Sequence, residues 1–202
     1  MRECAVVGRP NSGKTMFALN FAAFLGSKTV DITFRTYDGL LTCRHYTIEE
    51  ARRELCSLTA HKTRSIQSMI LKMPVGKATV NFKLTDTCGI TEHIHADESI
   101  RRGMAQTIGL MRTADLIFHI IDAADFPGEV IASKDNNIDW EIYTYGTARG
   151  NYVLLANKID LIIAKNNLPK LKDYFPEALI ITISALYSQG FKEVKAYVAR
   201  NL

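Results

Sequence analysis

The sequence predicts an α/β domain with a mostly parallel, six-stranded sheet that is covered by helices on both faces. Two observations support this prediction. Six short apolar segments alternate along the chain with segments whose apolar residues recur at helical spacing. Most of the apolar segments lack polar residues almost entirely, which is typical of strands that are buried on both faces of a parallel sheet.

The first half of the chain contains three of the expected strands. The apolar run at residues 3–7 predicts a buried strand, and residues 15–25 have helical spacing and stop at Gly26, a common helix terminator. Residues 65–73 and 78–85 predict two strands joined by a turn. The second of these alternates apolar and polar residues, and the sequence Pro-Val-Gly-Lys separates the two.

The second half continues the alternation. Residues 97–111 place isoleucine and methionine side chains on one helical face, and residues 115–121 and 152–156 are nearly continuous apolar runs, which predict buried strands. The remaining expected elements are helices at residues 137–148, 168–174 and 189–201, and a strand at residues 178–183.

The stretch between Gly26 and Ser65 has little strand character over roughly forty residues. Within it, Thr47 and Glu50 have the spacing of a capping box, in which the threonine caps a helix and the glutamate reaches back to the first backbone N–H. We therefore expect a loop that carries an inserted helix near residues 47–59.

Length and composition fit a single domain over residues 1–202, with 47% apolar residues to form a core. The formal net charge of +4 is compatible with an anionic partner such as RNA, and equally with an ordinary mixed-charge surface. Four scattered cysteines without a C-x-x-C spacing are typical of free thiols in a reducing compartment. Apolar runs are too short to span a bilayer, so we expect a cytoplasmic protein without a membrane span.

Residues 8–15, GRPNSGKT, match the pattern G-x-x-x-x-G-K-[ST] between a predicted strand and a predicted helix. Backbone N–H groups of such a loop point at a phosphate, and the helix that follows presents the positive end of its dipole. Lys14 is expected to bridge the β- and γ-phosphates, and Thr15 to ligate Mg²⁺. A glycine-rich turn without a ligand is the alternative. The residues expected to contact the phosphates are Asn11, Ser12, Gly13, Lys14, Thr15 and Met16.

Asp86 and Gly89 form a D-x-x-G sequence at the end of an alternating strand. The pattern is common by chance, and its position after a strand gives it meaning. The Asp86 carboxylate could hold the Mg²⁺ shell, and the Gly89 N–H could meet the γ-phosphate. Loss of that phosphate would free the neighbouring loop, so residues 29–63 and 90–98 are expected to respond to the nucleotide.

Asn157, Lys158 and Asp160 form an N-K-x-D sequence at the carboxyl end of an apolar strand. Asp160 could accept hydrogen bonds from the N1–H and the exocyclic amine of guanine, a pair that adenine lacks, and sites that depend on such bonds reject the wrong ligand by roughly 10⁴-fold or more. The stem of Lys158 would cover the base. A polar loop that only closes the strand is the alternative. The loop after the next strand, from which a backbone N–H could reach the guanine O6, contains Ser184, Ala185 and Leu186.

Together the motifs resemble those of the translation-factor-related (TRAFAC) P-loop GTPases, and more narrowly the group of Era, Der and MnmE. The sequences GRPNSGK and DTCGI carry the resemblance, which covers nearly the whole chain. It implies a Ras-like G domain with an enlarged switch I region that binds GTP and GDP with Mg²⁺ and hydrolyses GTP as a molecular switch. Cys88 stands where the group usually has Pro or Ala.

The resemblance also implies residues that act in hydrolysis. A switch threonine that binds Mg²⁺ and the γ-phosphate corresponds to Thr63, or to Thr59; a solvated loop threonine is the alternative. Asn11 resembles an asparagine that helps to bind K⁺. Glu98 resembles a glutamate that orients water in MnmE-like proteins, although a carboxylate in the first turn of a helix is favourable without any such role. Ile90 replaces the water-orienting glutamine of Ras-type proteins, so we expect slow intrinsic turnover.

The biological role stays open at this stage. The chain could be a K⁺-stimulated GTPase, a GTP-dependent protein-interaction module with little hydrolysis, or a regulatory domain of a membrane transporter. The resemblance implies ribosome assembly or RNA processing as the setting, and a nucleotide-dependent homodimer. Arg9, Arg64, Arg101 and Arg102 could form a basic rim for RNA, or could be ordinary solvated arginines.

Overall fold

The computed structural model describes residues 1–56, 65–126, 134 and 136–202. Strands and helices alternate along most of the chain, which confirms the predicted α/β class. The strands are β1 (Arg2–Val7), β2 (Thr29–Arg35), β3 (Leu41–Thr47), β4 (Ile66–Val75), β5 (Ala78–Asp86), β6 (Leu116–Asp122), β7 (Tyr152–Asn157) and β8 (Ile180–Thr182). The helices are α1 (Lys14–Phe24), α2 (Ile48–Leu55), α3 (Glu98–Thr113), α4 (Ile138–Arg149), α5 (Ile162–Tyr174) and α6 (Phe191–Asn201).

All the strands named above lie in one sheet with the order β3-β2-β4-β5-β1-β6-β7-β8. Neighbouring strands from β5 to β8 in this order are parallel, whereas β4 pairs antiparallel with both β5 and β2, and β3 pairs antiparallel with β2. In the described residues β3 and β4 therefore run against the direction of the other strands. The prediction of six strands was wrong, because eight strands within the described residues form the sheet.

The two additional strands lie in the stretch that was predicted to be a loop. In β2, Val30 and Ile32 are buried and their neighbours Thr29 and Asp31 are exposed. β3 pairs with β2 along its whole length, and Gly39, with φ of +88°, lies in the connecting turn. The strand signal was missed because the alternation in β2 extends over only seven residues and ends in the polar turn at 36–39. The described part of the stretch that was predicted to be an enlarged switch I region is thus a hairpin that extends the sheet, followed by α2.

Helix α2 begins where the capping box predicts. The Thr47 Oγ1 accepts the Glu50 N–H at 3.2 Å, and the Glu50 Oε2 accepts the Thr47 N–H at 2.9 Å. Ile48 and Ala51 are buried in the apolar core that also contains α1. The helix ends at Leu55, within the predicted range 47–59.

Two apolar cores lie on opposite faces of the sheet. Cys4 and Val6 of β1 pack in the core with α1, α2 and α6, and Ala5 and Val7 pack in the core with α3, α4 and α5. Because both faces are covered, the loops at the carboxyl ends of the parallel strands are the natural place for a ligand. In the described part of the chain, no helix combines the length and apolar character that a membrane span requires.

Candidate functional site

The loop between β1 and α1 is shaped by two glycines. Gly8 has φ of +140°, and Gly13, the N-cap of α1, has φ of +97°. A Cβ on Gly8 would lie 2.3 Å from the Ile120 carbonyl oxygen, and a Cβ on Gly13 would lie 2.3 Å from the Asn157 Nδ2. Since both the backbone angles and the space exclude larger residues, the loop packs closely against β6 and against Asn157.

Lys14 and Thr15 begin α1 and face the end of β5. The Lys14 Nζ is buried and donates to the Arg9 carbonyl at 2.6 Å, and the Thr15 Oγ1 donates to the Asp86 Oδ2 at 2.6 Å. Burial raises the pKa of Asp86 to about 6, although the Thr15 hydrogen bond and the Lys14 charge oppose this rise. Burial also lowers the pKa of Lys14, and the charge of Asp86 opposes that shift.

Two buried oxygens beside these residues have no hydrogen-bond partner among the described residues: the Ser12 Oγ and the Asp86 Oδ1. Buried polar atoms are usually paired, so these atoms are available to a ligand. A threonine hydroxyl and a carboxylate are hard oxygen ligands of the kind that Mg²⁺ prefers, and the Lys14 ammonium is a suitable partner for phosphate. The residues at this position therefore fit a Mg²⁺–nucleotide complex.

The D-x-x-G segment packs against the phosphate loop. A Cβ on Gly89 would lie 2.5 Å from the Pro10 nitrogen, and the Ile90 N–H donates to the Gly8 carbonyl at 3.1 Å. The Ile90 side chain is 2% exposed and belongs to the apolar core. The segment is therefore close enough to the phosphate loop to contact the same ligand, and its position 90 contributes to packing.

Asn157, at the end of β7, connects three segments. Its Nδ2 donates to the Ser12 carbonyl at 2.8 Å, and its Oδ1 accepts the Ala185 N–H at 2.8 Å. The side chain is 2% exposed. One buried amide thus joins the phosphate loop, the N-K-x-D segment and the loop after β8.

Lys158 and Asp160 follow in the turn after β7. Lys158 has φ of +68°, and its ammonium pairs with the Asp122 carboxylate at the end of the neighbouring strand β6. Asp160 is half-buried, and Leu186, in the loop after β8, is exposed. Ser184 and Ala185 are buried. The N-K-x-D segment and the loop after β8 therefore lie side by side at one edge of the sheet.

The residues predicted to act in hydrolysis are more dispersed. Asn11 is exposed in the phosphate loop with φ of +60°, and Met16 is half-buried in α1. Glu98 is the first residue of α3, and its carboxylate pairs with Arg102 at 2.5 Å with the Glu98 side chain 63% exposed. Asp97 is the N-cap of α3, and Glu98 lies in the first turn, where a carboxylate is favourable without any role in hydrolysis. Thr63 and Thr59 lie outside the described residues.

The described arginines of the predicted basic rim have partners within the chain. Arg9 pairs with Glu92 and with Asp139, and Arg102 pairs with Glu98. Arg101 donates to the backbone carbonyls of His95 and Ala96 at 2.8 Å, and Arg64 lies outside the described residues. Carboxylates and backbone carbonyls of the chain thus hold each described arginine of the rim, and a contact of these arginines with RNA stays a prediction.

Sequence reasoning missed two polar groups that support the site. Asp139 accepts a hydrogen bond from Arg9, and its Oδ1 lies 3.0 Å from the Nε2 of the buried His119. Asn20, buried in α1, donates to the Ala185 carbonyl at 2.6 Å. The sequence does contain a signal for each. His119, the partner of Asp139, interrupts an apolar strand, and Asn20 interrupts an apolar helix. A buried polar residue at such a position needs a partner.

The match of the chain to a known protein family identifies the kind of site that these residues form. Residues 3–158, which contain the phosphate loop, the D-x-x-G sequence and the start of the N-K-x-D sequence, match the family model described as 50S ribosome-binding GTPase. The chain belongs to the 50S ribosome-binding GTPase family. This membership confirms the predicted resemblance to the Era, Der and MnmE group.

The curated relatives of this chain include two kinds of GTPase, Obg and MnmE. GTPase Obg of Alkaliphilus oremlandii is 30% identical over 126 residues, which is 60% of this chain and 29% of Obg. The tRNA modification GTPase MnmE of Roseiflexus sp. is 28% identical in an alignment 212 residues long, which covers 99% of this chain and 36% of MnmE. The chain thus spans roughly a third of the length of these relatives.

A solved structure of Era in complex with MgGDPNP and a 16S ribosomal RNA fragment supports the fold. It aligns with all of this chain and 56% of the Era chain, with a TM-score of 0.65 and 24% identity. At that identity the similarity establishes the shared fold, and the ligands of Era belong to Era.

Proposed function

We propose that this family member binds GTP with Mg²⁺ and hydrolyses it to GDP and phosphate as a molecular switch. The observation that carries the proposal is the double hydrogen bond of Asn157, which ties the Ser12 carbonyl to the Ala185 N–H. These bonds hold the loop before α1 beside the N-K-x-D segment, which supports the proposal that the first binds the phosphates and the second reads the base of one nucleotide. Family membership and the GTPase relatives support the same activity.

The phosphate end of the nucleotide would lie on the loop before α1. There the amides near Gly13 and the buried Lys14 ammonium supply positive charge, and the unpaired Ser12 Oγ offers a hydrogen bond. Thr15 and Asp86 would hold Mg²⁺, whose charge stabilises the negative charge that develops on the phosphates during transfer. The close packing of Gly89 on the phosphate loop is suited to sensing the γ-phosphate.

The base would lie between the N-K-x-D segment and the loop after β8. Asp160 would accept the N1–H and the amine of guanine, and the Lys158 stem would cover the ring. The Ala185 N–H already donates to Asn157, so the next amide, that of Leu186, is the one that we propose for the guanine O6.

Exchanging the base-reading carboxylate tests this assignment. Asp160→Asn should lose GDP and gain xanthosine diphosphate, because the amide can donate to the additional xanthine oxygen where the carboxylate accepted from the amine. Both affinities are measured by titration calorimetry. Asp173→Asn, an exposed aspartate of α5, is the matched control and should keep the wild-type preference. An Asp160→Asn variant with unchanged GDP affinity would contradict the assignment.

Hydrolysis is proposed to respond to K⁺ through Asn11. A positive charge beside the phosphates can contribute about 10³–10⁵ in rate, and Asn11 lies exposed on the phosphate loop. We expect phosphate release from GTP to be faster in KCl than in NaCl, and we expect Asn11→Ala to reduce that difference. Equal rates in both salts for the wild-type protein would argue against a K⁺ site. The roles of Thr63 and Glu98 remain predictions.

A binding module with little hydrolysis is the second candidate, and the buried Ile90 favours it. A water-orienting side chain is missing at this position because Ile90 contributes to the apolar core. The salt experiment separates the two candidates. Phosphate release in either salt supports an enzyme, whereas tight GTP binding with no release in both salts supports the module.

A ribosomal partner is a further part of the proposal. It is supported by the description of the family and by the RNA fragment in the related Era complex. Sedimentation with purified ribosomal subunits, with a non-hydrolysable GTP analogue or with GDP, tests this partner. We expect more protein to sediment with the analogue, and equal amounts with both nucleotides would contradict a switch that acts at the ribosome.

A further inference from the structure

Asn20 is a buried polar residue on an otherwise apolar part of α1. It is 2% exposed, and its neighbours in sequence, Leu19 and Phe21, belong to the apolar core. Asparagine is unfavourable inside a helix, and a buried amide is costly unless it is paired. The side chain therefore needs specific partners, and it has them on both sides.

The amide nitrogen of Asn20 holds the loop after β8. Its Nδ2 donates to the Ala185 carbonyl at 2.6 Å and lies 3.4 Å from the Leu186 carbonyl. The Ala185 carbonyl and the Leu186 N–H belong to one planar, trans peptide unit and point in opposite directions. A hydrogen bond that fixes the carbonyl consequently fixes the direction of the N–H that we propose for the guanine O6.

The amide oxygen of Asn20 is held by α2. The Arg52 Nε donates to the Asn20 Oδ1 at 2.5 Å, across 32 residues of sequence. This bond is charge-assisted and therefore stronger than a neutral one. It keeps the oxygen of the Asn20 amide towards Arg52 and thus its nitrogen towards Ala185.

We infer that Arg52 and Asn20 are positioning residues that set how tightly the loop after β8 recognises guanine. The inference rests on the proposed binding of guanine nucleotides. It connects the inserted helix α2, which lies within the predicted switch region, with the base through a chain of two hydrogen bonds. A change in the position of α2 would thus alter nucleotide affinity without any contact between α2 and the nucleotide.

Two nucleotides separate this role from general destabilisation. GDP is compared with 6-thioguanosine diphosphate, in which a weakly accepting sulfur replaces the O6. Wild-type protein should bind GDP more tightly than the thio analogue, because the Leu186 N–H bonds to the O6. Arg52→Ala should weaken GDP binding by roughly 2- to 30-fold, the range found for residues that act through a chain of contacts. Arg52→Ala should also bring the ratio of the affinity for GDP to the affinity for the thio analogue closer to one.

Two further variants complete the test. Arg53→Ala removes an exposed arginine at the next position of α2 and should leave both affinities unchanged. Asn20→Asp keeps the shape and the acceptor for Arg52 but loses the donor to Ala185, so it should lower the affinity ratio as Arg52→Ala does. Thermal melts of all variants establish that they are folded.

The outcomes are distinguishable. Wild-type protein that binds neither nucleotide overturns the proposed function itself. Wild-type binding together with an unchanged GDP affinity in Arg52→Ala overturns the inference alone. An equal loss of affinity for both nucleotides in Arg52→Ala and Asn20→Asp also overturns it, because such a loss indicates a structural role without positioning of the O6 contact.

Discussion

The Asn157 amide nitrogen lies 2.8 Å from the Ser12 carbonyl oxygen, so the end of β7 is hydrogen-bonded to the loop before α1. The same side chain accepts the Ala185 N–H. The parts of the site that would contact the phosphates and the base are consequently held in a fixed relation by one residue. Disturbing this residue should affect both ends of the nucleotide.

Asn157→Asp removes the donor to Ser12 and keeps the acceptor for Ala185. We expect GDP affinity to fall by about tenfold or more, because a buried carbonyl then faces a carboxylate. Titration calorimetry measures the change. Asn166→Asp, an exposed asparagine of α5, provides the control and should bind as the wild-type protein does. Unaltered GDP binding by Asn157→Asp would mean that the connection between the two segments is dispensable.

Gly13→Ala tests the close packing of the phosphate loop. The added Cβ would lie 2.3 Å from the Asn157 Nδ2, so nucleotide binding should be lost. Gly26→Ala is a matched control for backbone strain, because Gly26 also has positive φ, of +101°, and has no atom within 4 Å of the added Cβ. Gly26→Ala should lower thermal stability only and keep GDP affinity. Equal GDP affinity in both variants would contradict the described packing.

Asp139 should make the protein less stable as the pH falls into the acid range. Burial raises the pKa of Asp139, but the hydrogen bond and charge of His119, together with Arg9, outweigh this effect and hold the pKa below its usual value. A carboxyl group whose pKa is lowered by folding stabilises the protein above the pKa of the unfolded state, about 4, and loses this contribution as pH falls through the folded pKa.

Denaturation of Asp139→Asn across pH checks this dependence. At pH 7 the free energy of unfolding should be lower than in the wild-type protein by about 1–3 kcal/mol, and its decline below pH 4 should be shallower. Asp173→Asn should preserve the wild-type curve. An acid profile of Asp139→Asn that parallels the wild-type profile would show that the pair with His119 contributes no linkage.

Substitution by alanine should have opposite effects on stability at two helical glycines, because their surroundings differ. A Cβ on Gly146 of α4 would lie 2.1 Å from the Tyr152 ring, whereas a Cβ on Gly109 of α3 would have no atom within 4 Å. Gly146→Ala should destabilise the protein by about 1–3 kcal/mol through overpacking. Gly109→Ala should stabilise it by about 0.5–1 kcal/mol through helix propensity. Urea denaturation measures both, and a stabilising Gly146→Ala would contradict the contact of α4 with β7.

The sequence predicted β1, β6 and β7 well because their apolar runs are nearly continuous, and β5 because apolar and polar residues alternate over its whole length. It failed in β2, a shorter alternating segment in which Val30 and Ile32 are the buried side chains, and so the hairpin was taken for a loop. Helix α5 was also predicted too short: it begins at Ile162, and Pro169 lies inside it. A proline usually marks the first turn of a helix, and here the apolar contacts of Ala164 and Leu171 extend the helix to either side of it.

The candidate site was predictable where contiguous residues carry the chemistry. The phosphate loop and the segments at Asp86 and Asn157 were all identified from short patterns. Contacts between distant residues were not predictable, since the pairing of Asn20 with Arg52 and Ala185 depends on how α1, α2 and the loop after β8 pack together. A single sequence contains the polar residue but not the identity of its partners.

The central claim is that one site recognises both a polyphosphate and a guanine base. Titration calorimetry of the wild-type protein in the presence of Mg²⁺, with GDP and with ADP, tests it most directly. We predict saturable binding of GDP at one site and an ADP affinity that is weaker by roughly 10⁴-fold or more. The absence of measurable binding of guanine nucleotides, or equal affinity for GDP and ADP, would contradict the claim.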